Sequence, residues 1–262
     1  MIKLSNENHQ LLLYFGGPGG SGKSEVIAHV LNYCKEFCEN LGVEFTSSTI
    51  CVTALTGVAA SNINGETIDL VAGLQRKKKE IFTMDEICDW KKTRILIIDE
   101  ISFMSCKKLI LLDKNLRKAR ENYRELYGGL NIVFAGDFSQ LEPIIKAKTN
   151  YDSDGPLYNA RGRARQLWQN AINCYIELKG MHRFKDDLEW GYILRRLREG
   201  NPTKADLQEI NSYVVTKNTK LPNDLKYGAR FNKVRDSVHC ILFEKYISKQ
   251  KTNEFGKVKD LH

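Results

Sequence analysis

Short, unbroken apolar runs alternate along this chain with longer stretches whose apolar residues keep a helical spacing. Leu11-Leu12-Leu13-Tyr14-Phe15, Thr49-Ile50-Cys51-Val52-Thr53, Arg94-Ile95-Leu96-Ile97-Ile98-Asp99 and Asn131-Ile132-Val133-Phe134-Ala135 read as buried strands. Cys174-Tyr175-Ile176-Glu177-Leu178 reads as a weaker strand. Between them, Val26, Ile27, Val30, Leu31 and Cys34 recur at helical spacing, as do Leu109, Leu112, Leu116 and Ala119. This alternation predicts an α/β fold, a parallel sheet covered by helices on both faces, with ligand-binding residues just after the strands. Residues 69–94 are mixed and basic, and Arg76-Lys77-Lys78-Lys79 is expected on the surface. From Asp186 onward the pattern changes. Leu188, Ile193, Leu194 and Leu197 predict a helix ending at Gly200-Asn201-Pro202, residues 203–213 a second, and Val234, Val238, Ile241, Leu242 and Tyr246 a third. A domain boundary near residue 182 follows, giving domains 1–181 and 182–262. The polar, basic residues 249–262 are expected to be poorly ordered.

Composition narrows the class. A hydrophobic share of 42% and a charged share of 27% are ordinary for a globular protein. No apolar run is long enough to span a bilayer, residues 1–10 carry no signal-peptide pattern, and no membrane partner is expected. Seven cysteines, an odd number without C-x-x-C pairs, point to a reducing, intracellular compartment. Cys34 and Cys38 lie four apart on a predicted helix, where packing is the better reading than zinc. The net charge of +8 suggests an anionic partner. The excess is concentrated late: residues 181–262 hold 17 Lys and Arg against 11 Asp and Glu.

The strongest chemical signal is Gly17-Pro18-Gly19-Gly20-Ser21-Gly22-Lys23-Ser24, which fits the phosphate-binding pattern G-x-x-x-x-G-K-[ST]. Gly17, Gly19, Gly20 and Gly22, with Ser21, let the backbone curl so that its N–H groups face a phosphate chain. Lys23 neutralises the outer phosphates, and the Ser24 hydroxyl is a candidate Mg²⁺ ligand. The loop falls between a strand and a helix N-terminus, where the helix dipole favours anions. Asp99-Glu100 ends the strongest strand. Asp99 is placed to hold Mg²⁺ directly or through water, and Glu100 to deprotonate an attacking water. Gly136-Asp137-Phe138-Ser139-Gln140 follows the next strand, where Gln140 can sense the γ-phosphate or position the water and Asp137 can brace the loop. Thr53-Ala54-Leu55-Thr56-Gly57-Val58-Ala59-Ala60 offers small and hydroxyl residues suited to a polyanion, or a helix cap at Thr56. Phe138 has two equal readings, core packing or stacking on a base. Met104 and Phe103 read as core, and His182 as packed or exposed.

Together with Leu178-Lys179-Gly180-Met181-His182-Arg183, these stretches resemble the PIF-type DNA helicases of superfamily 1B, relatives of RecD. The wording is similar to the helicase-like genes of eukaryotic mobile elements and large DNA viruses. Residues 53–68 resemble the family's DNA-contacting Ia segment, and Leu96 to Met104 its D-E-x-S-M motif. Residues 136–143 resemble its G-D-x-x-Q-L-P-P motif, and Leu194 to Gly200 its R-x-G helix end. The resemblance implies a RecA-like ATPase domain followed by part of a second RecA-like domain, ATP and Mg²⁺ as cofactors, and single-stranded or fork DNA as partner. It implies an ATP-dependent helicase moving 5′ to 3′ in DNA repair, recombination or telomere maintenance, nuclear if the source is a eukaryotic cell. Arg183 falls where the family has a γ-phosphate-contacting arginine, and Thr53, Thr56, Gly57, Asn62 and Phe138 are implied DNA contacts. Three departures stand out. Asp69 replaces a histidine, Glu142 replaces a proline, and Gln10 is too close to the loop to be the family's adenine-contacting glutamine. The later motifs of the second domain are not found before His262. Two rival expectations follow, a fragmentary helicase that binds nucleotide or DNA without unwinding, and a small-molecule kinase. The Asp99-Glu100 pair with Gln140 argues for hydrolysis and against the kinase. Oligomeric state is not legible from these residues.

Overall fold

The computed structural model describes residues 10–46, 48–76, 82–143, 154–215, 228 and 231–253. Residues Lys77, Lys78 and Lys79 of the basic run, and 254–262 of the expected tail, lie outside them. The chain divides into two compact units, residues 1–202 and 203–262. The first unit thus runs past residue 182, near which the sequence places a boundary.

The first unit is built on a six-stranded, all-parallel sheet. Its strands are β1 (Leu12–Gly16), β2 (Ile50–Ala54), β3 (Glu66–Thr67), β4 (Ile95–Asp99), β5 (Asn131–Gly136) and β6 (Cys174–Glu177), in the spatial order β3-β2-β4-β5-β1-β6. Helices fill the crossovers, α1 (Lys23–Asn40), α2 (Gly57–Asn62), α3 (Ile68–Val71), α4 (Met84–Lys92), α5 (Cys106–Ala119) and α6 (Gly162–Leu167), and α7 (Leu188–Arg198) follows the last strand.

The apolar strand runs are explained by two cores. Side chains alternate across a strand, so Leu96 and Ile98 of β4 join a large cluster with Leu109, Leu112 and Leu116 of α5. Ile97, between them, joins Phe15, Ile50, Ala135 and Ile27 of α1 on the other face. A strand that feeds both faces has no polar side, which is why β4 reads as an unbroken apolar run. On α1, Val26, Leu31 and Cys34 pack against the second cluster as expected, whereas Val30 is exposed.

The second unit contains α8 (Lys204–Ser212) and α9 (Asn232–Asn253), both where helical spacing predicts them. Helix α8 opens with a capping box, in which the Thr203 hydroxyl accepts from Asp206 N–H and the Asp206 carboxylate accepts from Thr203 N–H.

Candidate nucleotide site

Parallel strands bring their carboxyl ends to one edge of the sheet. The register sets these ends level: Gly16 pairs with Gly136 on one side and with Glu177 on the other, and Ala54 pairs with Asp99. The segments that follow β1, β4, β5 and β6 therefore meet at that edge.

The phosphate loop, residues 17–22, turns directly from β1 into α1. Ser21 N–H donates to the Pro18 carbonyl, and Gly22 caps the helix in a left-handed conformation. Gly20 has φ +79°, and a β carbon there would sit 2.4 Å from Cβ of Arg183. The position tolerates no side chain on either count. Lys23 Nζ donates to the carbonyls of Gly17 (2.7 Å) and Pro18 (3.1 Å). Its pKa is lowered by burial, against the opposing pull of Asp137, Asp99 and Glu100. Ser24 is exposed in the first turn of α1.

Asp99 is buried at the end of β4 and accepts from Glu100 N–H at 2.8 Å. Burial raises its pKa, partly offset by that bond and by Lys23. Glu100 turns the chain with φ +57°, a conformation uncommon outside glycine. Its carboxyl is raised by burial and then by Asp99. Gly136 allows the turn to close, since a β carbon there would meet Ile101 N at 2.8 Å. Mg²⁺ takes hard oxygen ligands, keeps waters, and is commonly held by one or two protein oxygens plus substrate phosphates. The Asp99 carboxylate and the Ser24 hydroxyl suit that role. Among the described residues no group of three or more His, Cys, Asp or Glu could hold a metal alone.

Asp137 and Gln140 form one unit. Asp137 Oδ1 accepts from Ser139 N–H at 3.0 Å, and its Oδ2 from Gln140 Nε2 at 3.3 Å. Burial alone would raise the Asp137 pKa, but the Arg198 guanidinium and these donors hold it below the usual value. Arg183 lies in a single 3-10 turn, His182–Phe184, and its N–H donates to Gly20 carbonyl at 3.3 Å. A β carbon at Gly19 would lie 3.3 Å from Gln140 Nε2 and 3.5 Å from Arg183 Nη1. Both expected γ-phosphate groups thus flank the loop. The His182 ring packs over Gly180 and Gly22. A cleft of about 500 Å³ adjoins the loop, lined by Pro18, Gly19, Gln140, Arg183 and Arg198 among others, and its size is that of a small-molecule site.

Several expectations change. Thr53 is fully buried, and its hydroxyl donates to the Ile97 carbonyl at 2.7 Å. It serves the sheet and does not face DNA. Thr56 caps α2 by accepting from Ala59 N–H, while Gly57 and Asn62 are exposed on that helix. Phe138 sits among aromatic rings, 5.4 Å from Tyr14 and 5.5 Å from Trp168 between centroids. That favours its core reading over base stacking. Met104 is fully buried, as expected. Gln10 donates to the carbonyls of Leu126 and Leu130 before β1 begins, at the sheet end opposite the phosphate loop. Asp69 pairs with Lys108 of α5. The Tyr158 hydroxyl donates to Glu142.

Sequence reasoning singled out the R-x-G helix end that contains Arg198 but gave Arg198 no role at the site. It ends α7, where a basic side chain reads as an ordinary complement to the helix dipole. Nothing local signals that it reaches Asp137, 61 residues away.

A parallel sheet with a glycine-rich loop at the end of β1, a carboxylate pair at the end of β4 and a glutamine loop after β5 defines a RecA-like P-loop NTPase domain. Residues 1–190 match the family described as PIF1-like helicase, and the chain belongs to that family. It is 32% identical over 258 residues to the ATP-dependent DNA helicase PIF1 of Candida albicans, covering 88% of this chain and 26% of that protein. The crystal structure of Candida albicans Pif1 helicase superposes with a TM-score of 0.68 at 27% identity, covering 93% of this chain and 55% of that one. The crystal structure of a Bacteroides Pif1 helicase in complex with ADP-AlF3 and ssDNA has the same fold, with a TM-score of 0.69 at 21% identity, covering 95% of this chain and 55% of that one. The chain thus spans about half the length of these solved proteins and about a quarter of the curated relative.

Proposed function

We propose that this chain is the ATP-hydrolysing lobe of an ATP-dependent DNA helicase that moves 5′ to 3′ on single-stranded DNA. The observation that carries the reading is convergence. Lys23, Asp99, Glu100, Gln140 and Arg183 come from three strand ends, those of β1, β4 and β5, and from the 3-10 turn after β6, yet gather at one edge of the sheet around the phosphate loop. Phosphoryl transfer needs little covalent chemistry from the protein and relies on positioning and charge stabilisation. Here Lys23 neutralises the outer phosphates, and Ser24 and Asp99 hold Mg²⁺. Glu100 takes a proton from the attacking water, and its raised pKa makes it a stronger base than an exposed glutamate. Gln140 and Arg183 contact the γ-phosphate. Single-stranded or fork DNA lies across the strand ends near α2, where Thr56, Gly57 and Asn62 are its contacts. Repair, recombination or telomere maintenance is the setting proposed, in the nucleus if the source is a eukaryotic cell.

ATP turnover measured with and without single-stranded DNA tests this. Lys23→Ala is expected to lower affinity for a fluorescent ATP analogue at least tenfold, and with it DNA-stimulated turnover. Wild-type turnover that DNA does not stimulate would sink the helicase reading, and unchanged turnover in Lys23→Ala would sink the site. A second reading is that this chain by itself binds nucleotide and DNA without displacing a strand, favoured by its covering about half of the solved Pif1 chains.

A further inference from the structure

Arg198 stands at the last turn of α7, 61 residues from Asp137, yet its guanidinium reaches into the nucleotide site. Nη1 donates to Asp137 Oδ2 at 2.5 Å, and this carboxylate is almost fully buried. The same oxygen accepts from Gln140 Nε2 at 3.3 Å. The other carboxylate oxygen is taken by Ser139 N–H, and Gln140 N–H donates to the Asp137 carbonyl. Asp137 is therefore gripped from three directions, and among the described residues its link to a side-chain amide is the link to Gln140.

That link decides which end of the amide faces the phosphate loop. A primary amide carries two donors on nitrogen and an acceptor on oxygen. With one Nε2 hydrogen given to Asp137, the nitrogen stays on the side of Gly19, where a β carbon would lie 3.3 Å from it. Oxygen and nitrogen would exchange freely if Asp137 were neutral or turned away. An ionised, fixed carboxylate is what holds the donor end inward, and Arg198 keeps it ionised and fixed. Resting on the ATPase reading above, we infer that Arg198 is a positioning residue: through Asp137 it orients the Gln140 amide toward the terminal phosphate and couples α7 to the hydrolytic step. A bidentate-capable arginine suits this task, since charge-assisted bonds to a buried carboxylate are short and strong.

The test uses the full chain and the variants Arg198→Ala, Arg198→Lys, Gln140→Ala and the double variant Arg198→Ala/Gln140→Ala. Single-turnover hydrolysis is read beside affinity for a fluorescent ATP analogue and beside the side-chain NH₂ signal of Gln140 in ¹⁵N NMR. Arg198→Ala is expected to slow hydrolysis about tenfold or more with affinity nearly unchanged, and to shift the Gln140 NH₂ signal. Arg198→Lys restores part of both. The double variant is no slower than Gln140→Ala alone, because the two residues act as one unit. Losses that multiply in the double variant, an unmoved NH₂ signal, or a drop in affinity equal to the drop in rate would overturn the inference. The NMR signal reports the relay even if the wild type hydrolyses no ATP, so failure of the ATPase reading is seen separately as absent wild-type turnover.

Discussion

Glu100 holds its place against its own preferences. A left-handed backbone costs a non-glycine residue about 1–2 kcal/mol, and this residue has φ +57°. Burial and the neighbouring Asp99 also raise its carboxyl pKa. A carboxylate whose folded pKa lies above its unfolded value favours the folded state at low pH, and that contribution is lost as pH rises through the folded pKa. At neutral pH the ionised side chain therefore weakens the fold. Glu100→Gln is expected to slow hydrolysis at least about a hundredfold, the usual worth of a general base, while raising Tm at pH 8 by on the order of 2 °C. The gain in Tm should shrink as pH falls through the Glu100 pKa, where the wild-type carboxyl is neutral too. Calorimetry of both proteins from pH 5 to 8 checks it, and a variant less stable at pH 8 would contradict it. The same scale shows what local sequence hides. The Thr53 hydroxyl is of the kind that contacts phosphate, and only the pairing of β2 with β4 reveals that it is spent on the Ile97 carbonyl.

Elements were legible where the physics is local. The strands β1, β2, β4 and β5 were readable to within a residue or two because each feeds apolar side chains to both faces of the sheet. The phosphate loop was readable because its backbone shape demands glycine. Helix α4 was not read, because Met84–Lys92 is mostly charged and shows no apolar stripe, with Trp90 its one buried residue. Its start was nonetheless written in Thr83-Met84-Asp85-Glu86, a capping-box pattern. The Thr83 hydroxyl accepts from Glu86 N–H, and the Glu86 carboxylate accepts from Thr83 N–H. The same carboxylate takes two bonds from Arg76, and its pKa falls to about 2, chiefly through that arginine. With so little core contact, α4 depends on its cap more than α5, with seven buried residues, does. Thr83→Ala is expected to cost about 1 kcal/mol in urea unfolding and to leave ATP turnover unchanged. A cost below a few tenths of a kcal/mol would mean that the Arg76–Glu86 pair anchors the helix without its cap.

At the scale of the molecule, the hydrolytic groups and the strand-separating machinery need not be carried by the same residues. All groups assigned to ATP chemistry lie within the first unit, residues 1–202. Coupling turnover to movement requires a second body that closes and opens with each cycle, and this chain spans 55% of the solved Candida albicans Pif1 chain. For residues 1–262 taken by themselves, hydrolysis and unwinding are therefore expected to separate. The chain should bind single-stranded DNA, and DNA should stimulate its ATP turnover. That stimulation should weaken with salt faster than the basal rate does, because phosphate contacts release counterions. A forked duplex with a labelled strand, incubated with saturating ATP and a trap for the released strand, should remain paired while phosphate is produced in the same tube. Strand release at a rate proportional to phosphate production would show that residues 1–262 already contain a complete motor. Phosphate production with no DNA dependence would instead count against the helicase reading itself.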